Sequence, residues 1–368
     1  MRQSDKDIFL SLVRLGIGRE PVEGLHLTVQ GSIDWEAVLA LAERQGLSAV
    51  VADGIDWLKV HGEGSTVMLP PKLVMLQLIG SVLQNYEYRH ELYQRAIAEL
   101  AGFYNSQGFK MMVLKGFACA LDWAKPEHRP CGDIDIWQFG QYREADAALA
   151  SEKGIMIDNS HHHHTVFYWR DFMVENHYDF IEILHHSSGP ELEKILKEQG
   201  RNDSFSVDLY GEKVYLPSPN LHALFLLRHS MEHFASTDIS LRQLLDWAFF
   251  VEKHGKDVDW LWLETVLEQF GMKRLYGIFN AICVEDLRFN ASIFHYVQYD
   301  PRLKERVLNE ILSPEFTGDA PEKLIHRVLF KYRRWQANGW KQKLCYKGSR
   351  WSAFWSATWN HLLKPSSI

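Results

Sequence analysis

Gly132-Asp133-Ile134-Asp135-Ile136 is the stretch that most limits what this chain can fold into. Side chains alternate faces along a β-strand, so the two aspartates project together and the two isoleucines project the other way. Ile134 and Ile136 point into a core and hold the strand in place. Two carboxylates a few Å apart repel one another unless a cation sits between them. Hard oxygen ligands of this kind suit Mg²⁺ or Mn²⁺. A surface strand that merely carries two acids is the bland alternative.

The sequence around this strand changes texture twice. Residues 5–60 have helical spacing, and Asp34 can cap a helix whose apolar positions are Trp35, Val38, Leu39, Leu41 and Ala42. Gly62, Gly64 and Pro70-Pro71 mark a break. Leu73, Leu76, Ile79, Leu83 and Tyr86 then form a stripe, continued by Leu92, Ile97 and Leu100, on one long helix or two abutting ones that end at Gly108. From 109 the chain reads strand (109–115), helix (117–124), strand (133–139), helix (140–153) and a hairpin of 164–169 and 173–181. From Pro217 the spacing is helical again, with candidates at 221–234, 241–254, 260–270 and 273–284. The expected class is α+β. A small mixed-sheet core (108–216) is flanked by an N-terminal helical region (1–107), a C-terminal helical region (217–320) and a basic, Trp-rich tail (321–368). With 46% hydrophobic and 24% charged residues in 368, the chain is not disordered, collagenous or a coiled coil throughout. Its net charge of −7 excludes a generic polyanion binder.

Upstream of the acidic strand, Leu114-Lys115-Gly116 sits at a strand end before a short helix. A glycine turn into a helix N-terminus presents backbone N–H groups to a phosphate, and Lys115 adds positive charge. A plain strand-to-helix turn would look the same. Together, Leu114-Lys115-Gly116, Arg129 and Gly132-Asp133-Ile134-Asp135-Ile136 resemble the LKG … R … GDIDI pattern of the bacterial uncharacterised nucleotidyltransferase family, within the DNA polymerase beta-like superfamily. Glu175-Asn176-His177-Tyr178 is similar to that family's later E-x-H-aromatic strand. The likeness extends over the flanking helical regions to about residue 290. One departure is Gly116-Phe117, where the superfamily carries Gly-Ser or Gly-Gly, so Lys115 and backbone amides would have to replace a serine grip on phosphate.

The resemblance implies a polymerase beta-like mixed-sheet core and Mg²⁺-dependent (or Mn²⁺-dependent) nucleotidyl transfer by two metals. A nucleoside monophosphate would pass from an NTP, with ATP the expected one, to a hydroxyl acceptor, with pyrophosphate leaving. Asp133, Asp135 and Glu175 are the expected catalytic and metal residues. Glu182 is the rival third carboxylate. Lys115, Gly116, Arg129, Gly132 and His177 are the expected nucleotide-binding residues. Arg129 would pair with the triphosphate or neutralise the acid cluster. His177 would orient Glu175, touch substrate, or be an ordinary strand histidine.

Other features leave further readings open. In the run His161-His162-His163-His164, consecutive residues on an extended segment face opposite ways, so at most two converge. One histidine on each of two strands, with His185-His186, would make an imidazole cluster for Zn²⁺; a solvated loop is the alternative. His229 and His233 lie one helical turn apart and are expected to pack the helical region against the cleft with polar tips toward substrate. Cys119, Cys131, Cys283 and Cys345 show no CxxC spacing, which argues against a zinc site or a disulfide framework, and no base is evident beside Cys131. The first residues lack a cleavage-site pattern and no apolar run approaches ~18 residues, so a cytoplasmic protein without a membrane span is expected. Residues 321–368 carry ten bases against a single acid, Glu322, leaving about −16 for the preceding chain. Their tryptophans, with Trp351, Trp355 and Trp359 four apart, either dock on the acidic body or stack on nucleic-acid bases. A catalytically inactive nucleotide- or RNA-binding module of the same fold is the competing function, and a metal hydrolase built on the histidines a third.

Overall fold

Six short strands form one mixed sheet in the order β3-β4-β2-β1-β6-β5, and that order places the acidic strand near its centre. The computed structural model describes residues 3–19, 33–61, 69–183, 186, 188–202, 204–316, 321 and 324–347. Helices α1 (Gln3–Gly16), α2 (Trp35–Arg44), α3 (Ser48–His61) and α4 (Lys72–Val82) come first. Asp34 caps α2 by accepting from the Ala37 N–H. A π-helical segment, Leu83–Tyr88, joins α4 to α5 (Arg89–Ser106). The sheet region then runs β1 (Met112–Val113), α6 (Phe117–Ala120), β2 (Ile134–Trp137), α7 (Tyr142–Lys153), β3 (His164–Trp169), β4 (Phe172–His177), α8 (Gly189–Asn202), β5 (Ser204–Leu209) and β6 (Glu212–Pro217). Helices α9 (Pro219–Ser236), α10 (Leu241–His254), α11 (Trp260–Phe270), α12 (Lys273–Glu285), α13 (Pro301–Leu312), α14 (Leu324–Ala337) and α15 (Gly339–Cys345) follow.

Strand β2 is parallel to β4 and antiparallel to β1, while β1 is parallel to β6. Ile134 and Ile136 enter a core shared with Tyr93, Ile97 and Leu100 of α5 and Leu149 of α7. Trp137 faces the other way, into a larger core with Phe180, Leu192, Leu196 and Phe225. In α8, Gly200 passes so close to the Trp137 ring that a Cβ there would lie 2.9 Å from it. The alternation in the acidic strand thus decides which face meets α5 and α7 and which meets α8 and α9.

The structure departs from the sequence-based expectations in four places. The 109–115 strand shrinks to Met112–Val113, and the later strand ends at His177 rather than 181. The hairpin β5–β6 is not among the expected elements, although alternating segments flank Tyr210-Gly211, whose positive φ values (53° and 87°) suit a tight hairpin turn. The stripe along 73–83 faces outward: Leu73 and Leu76 are 68% and 67% exposed, Ile79 and Leu83 are also exposed, and Met75, Leu78 and Val82 are buried instead. Helix α4 is apolar nearly all round, so spacing alone does not select its inner face, and the wider π turn re-phases the chain before Tyr86.

Candidate active site

Asp135 and Glu175 are directly opposed on the parallel pair β2–β4, and His177 lies two residues further along the same face. Across the antiparallel pair β3–β4, His164 stands opposite His177. Asp135 is only 3% exposed, so its charge needs partners. Lys115 Nζ lies 2.9 Å from Asp135 Oδ1, and His177 Nε2 lies 3.2 Å from the same oxygen and 3.4 Å from Glu175 Oε2. Burial alone would raise the pKa of Asp135, but Lys115 and then His177 hold it well below the usual carboxylate range. Burial would lower His177, yet its hydrogen bonds to Asp135 and Glu175 lift it to about 9. Lys115 is likewise raised by Asp135 and Glu175 against the effect of burial. Asp133 is half-buried just before β2, and burial followed by the Asp135 charge raises its pKa.

The turn at Lys115-Gly116 is built around this strand. Gly116 has φ 57° and ψ −101°, and an added Cβ would meet Tyr93 Oη at 2.3 Å. That hydroxyl donates to the Asp133 carbonyl at 2.8 Å, so Gly116, Tyr93 and Asp133 are locked together. Gly132 is exposed beside Asp133.

Arg129 is placed elsewhere. Its Nε and Nη2 reach Asp246 of α10 at 2.7 and 2.9 Å, both side chains are buried, and Trp123 Nε1 donates to the same carboxylate at 2.9 Å. The guanidinium thus ties the segment before β2 to the C-terminal helices. Glu182 lies beyond β4, with Oε2 at 3.6 Å from His163 Nδ1, so Glu175 is the carboxylate across from Asp135.

The histidines depart from strict alternation. Residues 161–163 bend ahead of β3, and the rings of His161, His163 and His164 come together, with centroids 4.7 Å (His161–His164) and 4.2 Å (His163–His164) apart. His186 turns away, stacking on Tyr346 at 4.7 Å, and His185 lies outside the described residues. On α9, His229 and His233 pack edge to face at 4.4 Å within electrostatic reach of Lys115 and Asp135. Sequence reasoning missed a neighbour of Cys131: His90 Nδ1 is 3.6 Å from its Sγ, although burial lifts the thiol to about 11 and keeps it protonated.

Among the described residues, Asp135, Glu175 and His177 bring ligand atoms within 4.8 Å of one another, and so do His163, His164 and His177. No described helix is long and apolar enough to cross a membrane. No curated protein matches the chain. An antigenic nucleotidyltransferase-like protein from Paracoccidioides brasiliensis is similar at 16% identity and a TM-score of 0.34, over 55% of this chain and 96% of its own. Residues 31–287, well over half of the sequence and including every strand of the sheet, match the family described as uncharacterised nucleotidyltransferase. The chain belongs to that uncharacterised nucleotidyltransferase family.

Proposed function

We propose that the protein transfers a nucleoside monophosphate from an NTP, with ATP the expected donor, to a hydroxyl acceptor. The acceptor oxygen bonds to the α-phosphorus, the bond to the β-phosphate breaks, and pyrophosphate leaves. The observation that carries this reading is the opposition of Asp135 and Glu175 beside Lys115, next to Asp133, in a chain of this family. The opposed oxygen donors of Asp135 and Glu175, with Asp133 adjacent in the chain, are of the hard type that suits Mg²⁺ or Mn²⁺. Bound there, such ions would neutralise the triphosphate and acidify the acceptor hydroxyl.

The protein's own groups have separate tasks in this proposal. Lys115 meets phosphate oxygens, and the Gly116 turn lets backbone approach them. His177 holds Glu175 and Asp135 in register through its two hydrogen-bonding contacts. Asp133, half-buried beside the start of β2, adds a further carboxylate next to this pair. Asp133→Asn and Asp135→Asn should each lower Mg²⁺-supported pyrophosphate release by about 100-fold or more, the scale of losing one preorganised electrostatic contact. Glu175→Gln should lower the rate more than it weakens NTP binding. Near-wild-type release by either aspartate variant would overturn the assignment. Radiolabelled NTP with a cell extract would reveal the acceptor.

One observation favours a second reading. Asp135 is already matched by Lys115 and His177, which suits a module that binds nucleotide, or RNA, without turning it over. NTP binding by the wild-type protein, with neither pyrophosphate release nor labelling of any component when cell extract is supplied, would establish it.

A further inference from the structure

We infer that His163, His164 and His177 form a binding site for a borderline first-row dication, with Zn²⁺ as the reference ion, set against the carboxylate face. Strand alternation would send His163 and His164 to opposite sides of β3. The bend over 161–163 prevents this. The His163 and His164 rings lie 4.2 Å apart, nearly perpendicular, and both face His177, with centroids at 5.5 and 5.2 Å. Their ligand atoms fall within 4.8 Å of one another.

A second observation points to a ligand. His164 is buried, and its Nδ1 has no hydrogen-bond partner. Its contact with Glu175 Oε2, at 3.9 Å, is too long for a hydrogen bond. Leaving a buried nitrogen unsatisfied is costly, and buried polar groups nearly always have a partner. A dication among the imidazoles would supply one, with Glu175 beside it as an oxygen donor.

The surroundings match how metal-binding histidines are held. A ligating imidazole usually turns its other nitrogen to a carbonyl or carboxylate. His177 Nδ1 is 3.2 Å from the Asp179 carbonyl, so Nε2, the nitrogen that contacts Asp135 and Glu175, is the one that would lose its proton on binding the dication. Three imidazoles and a carboxylate are a donor set for Zn²⁺, whereas Mg²⁺ prefers oxygen alone. The site shares His177 and Glu175 with the proposed transfer site and differs from it in His163, His164 and its metal.

The test uses the full-length protein without a polyhistidine tag, stripped with chelator and titrated with Zn²⁺ against a chromogenic competitor in excess Mg²⁺. One equivalent of Zn²⁺ should bind. His164→Ala and His163→Ala should each weaken it by at least about 10-fold. His162→Ala, outside the cluster, should leave affinity unchanged. Co²⁺ added to the wild-type protein should give the intense visible bands of a four-coordinate site, a readout that needs no variant to fold. Absence of stoichiometric Zn²⁺ binding, or affinity indifferent to His164→Ala, overturns the inference. Pyrophosphate release in Mg²⁺, measured on the same preparation, separates this outcome from failure of the proposed transfer.

Discussion

Gly116 is where backbone geometry and the candidate chemistry constrain each other most tightly. Its positive φ, and the 2.3 Å at which an added Cβ would meet Tyr93 Oη, leave no room for a side chain. Gly116→Ala should therefore push Tyr93 off the Asp133 carbonyl, cost about 1–3 kcal/mol of stability and lower pyrophosphate release more than the fold loss explains. Urea unfolding and an activity assay on the same variant check this; unchanged values in both would show that the turn relaxes without consequence. At this scale much of the site was legible. The period-two pattern picked out Asp135, and the adjacent strand end supplied Lys115, which lies 2.9 Å from it. Partners distant in sequence were not legible. Arg129 pairs with Asp246, 117 positions away, and nothing local announces that contact. The convergence of His163 with His164 depends on a bend that alternation cannot foresee.

At the scale of elements, the segment leaving β4 is pinned by α8. Glu193 accepts from the Phe180 N–H at 3.0 Å and the Ile181 N–H at 3.1 Å, and Phe180 packs on Trp137. Burial pushes the Glu193 carboxyl up to about 7 despite those bonds. A carboxyl raised above its unfolded value binds a proton in the native state that the unfolded chain releases. Its stabilisation is therefore full below the unfolded pKa and is lost as pH rises through about 7. The linked free energy is about 3 kcal/mol. Between about pH 5 and about pH 8 the wild type should lose stability relative to Glu193→Gln, which stays neutral. Unfolding free energies for both proteins across that range test it, and parallel curves would refute it. Element-level reading succeeded where the sequence pattern marks the faces, by alternation in β2 and by a single buried stripe in α2. It failed in α4, apolar on every side, and at β5–β6, where the β5 side chains are mostly exposed and the alternating signal is weak.

For the whole molecule, the question is what the chain beyond the family match contributes. The match ends at 287, yet α15 is packed into the C-terminal helices. Lys341 is buried and pairs with Glu310 of α13, and its Nζ also reaches the Thr237 carbonyl at 3.3 Å. Leu344 and Cys345 are buried, Trp340 packs edge to face on Phe234, and Arg306 lies 4.0 Å over the Trp340 ring. Arg228 of α9 donates to Tyr346 Oη at 3.0 Å. Trp351, Trp355 and Trp359, on which the docking expectation rests, lie outside the described residues, as do Lys323, Arg350 and Lys364. Truncation after residue 320 would uncover Phe234 and leave Glu310 as a buried charge without Lys341. Removing one member of a buried pair costs about 3–5 kcal/mol. The truncated protein should therefore melt well below the full chain or fail to stay soluble, and Lys341→Ala should reproduce part of that loss. A soluble truncation with unchanged melting would show that the basic segment is an appendage. If that truncation also lost a salt-sensitive affinity for RNA, the bases would have been facing phosphates rather than the protein's own acids.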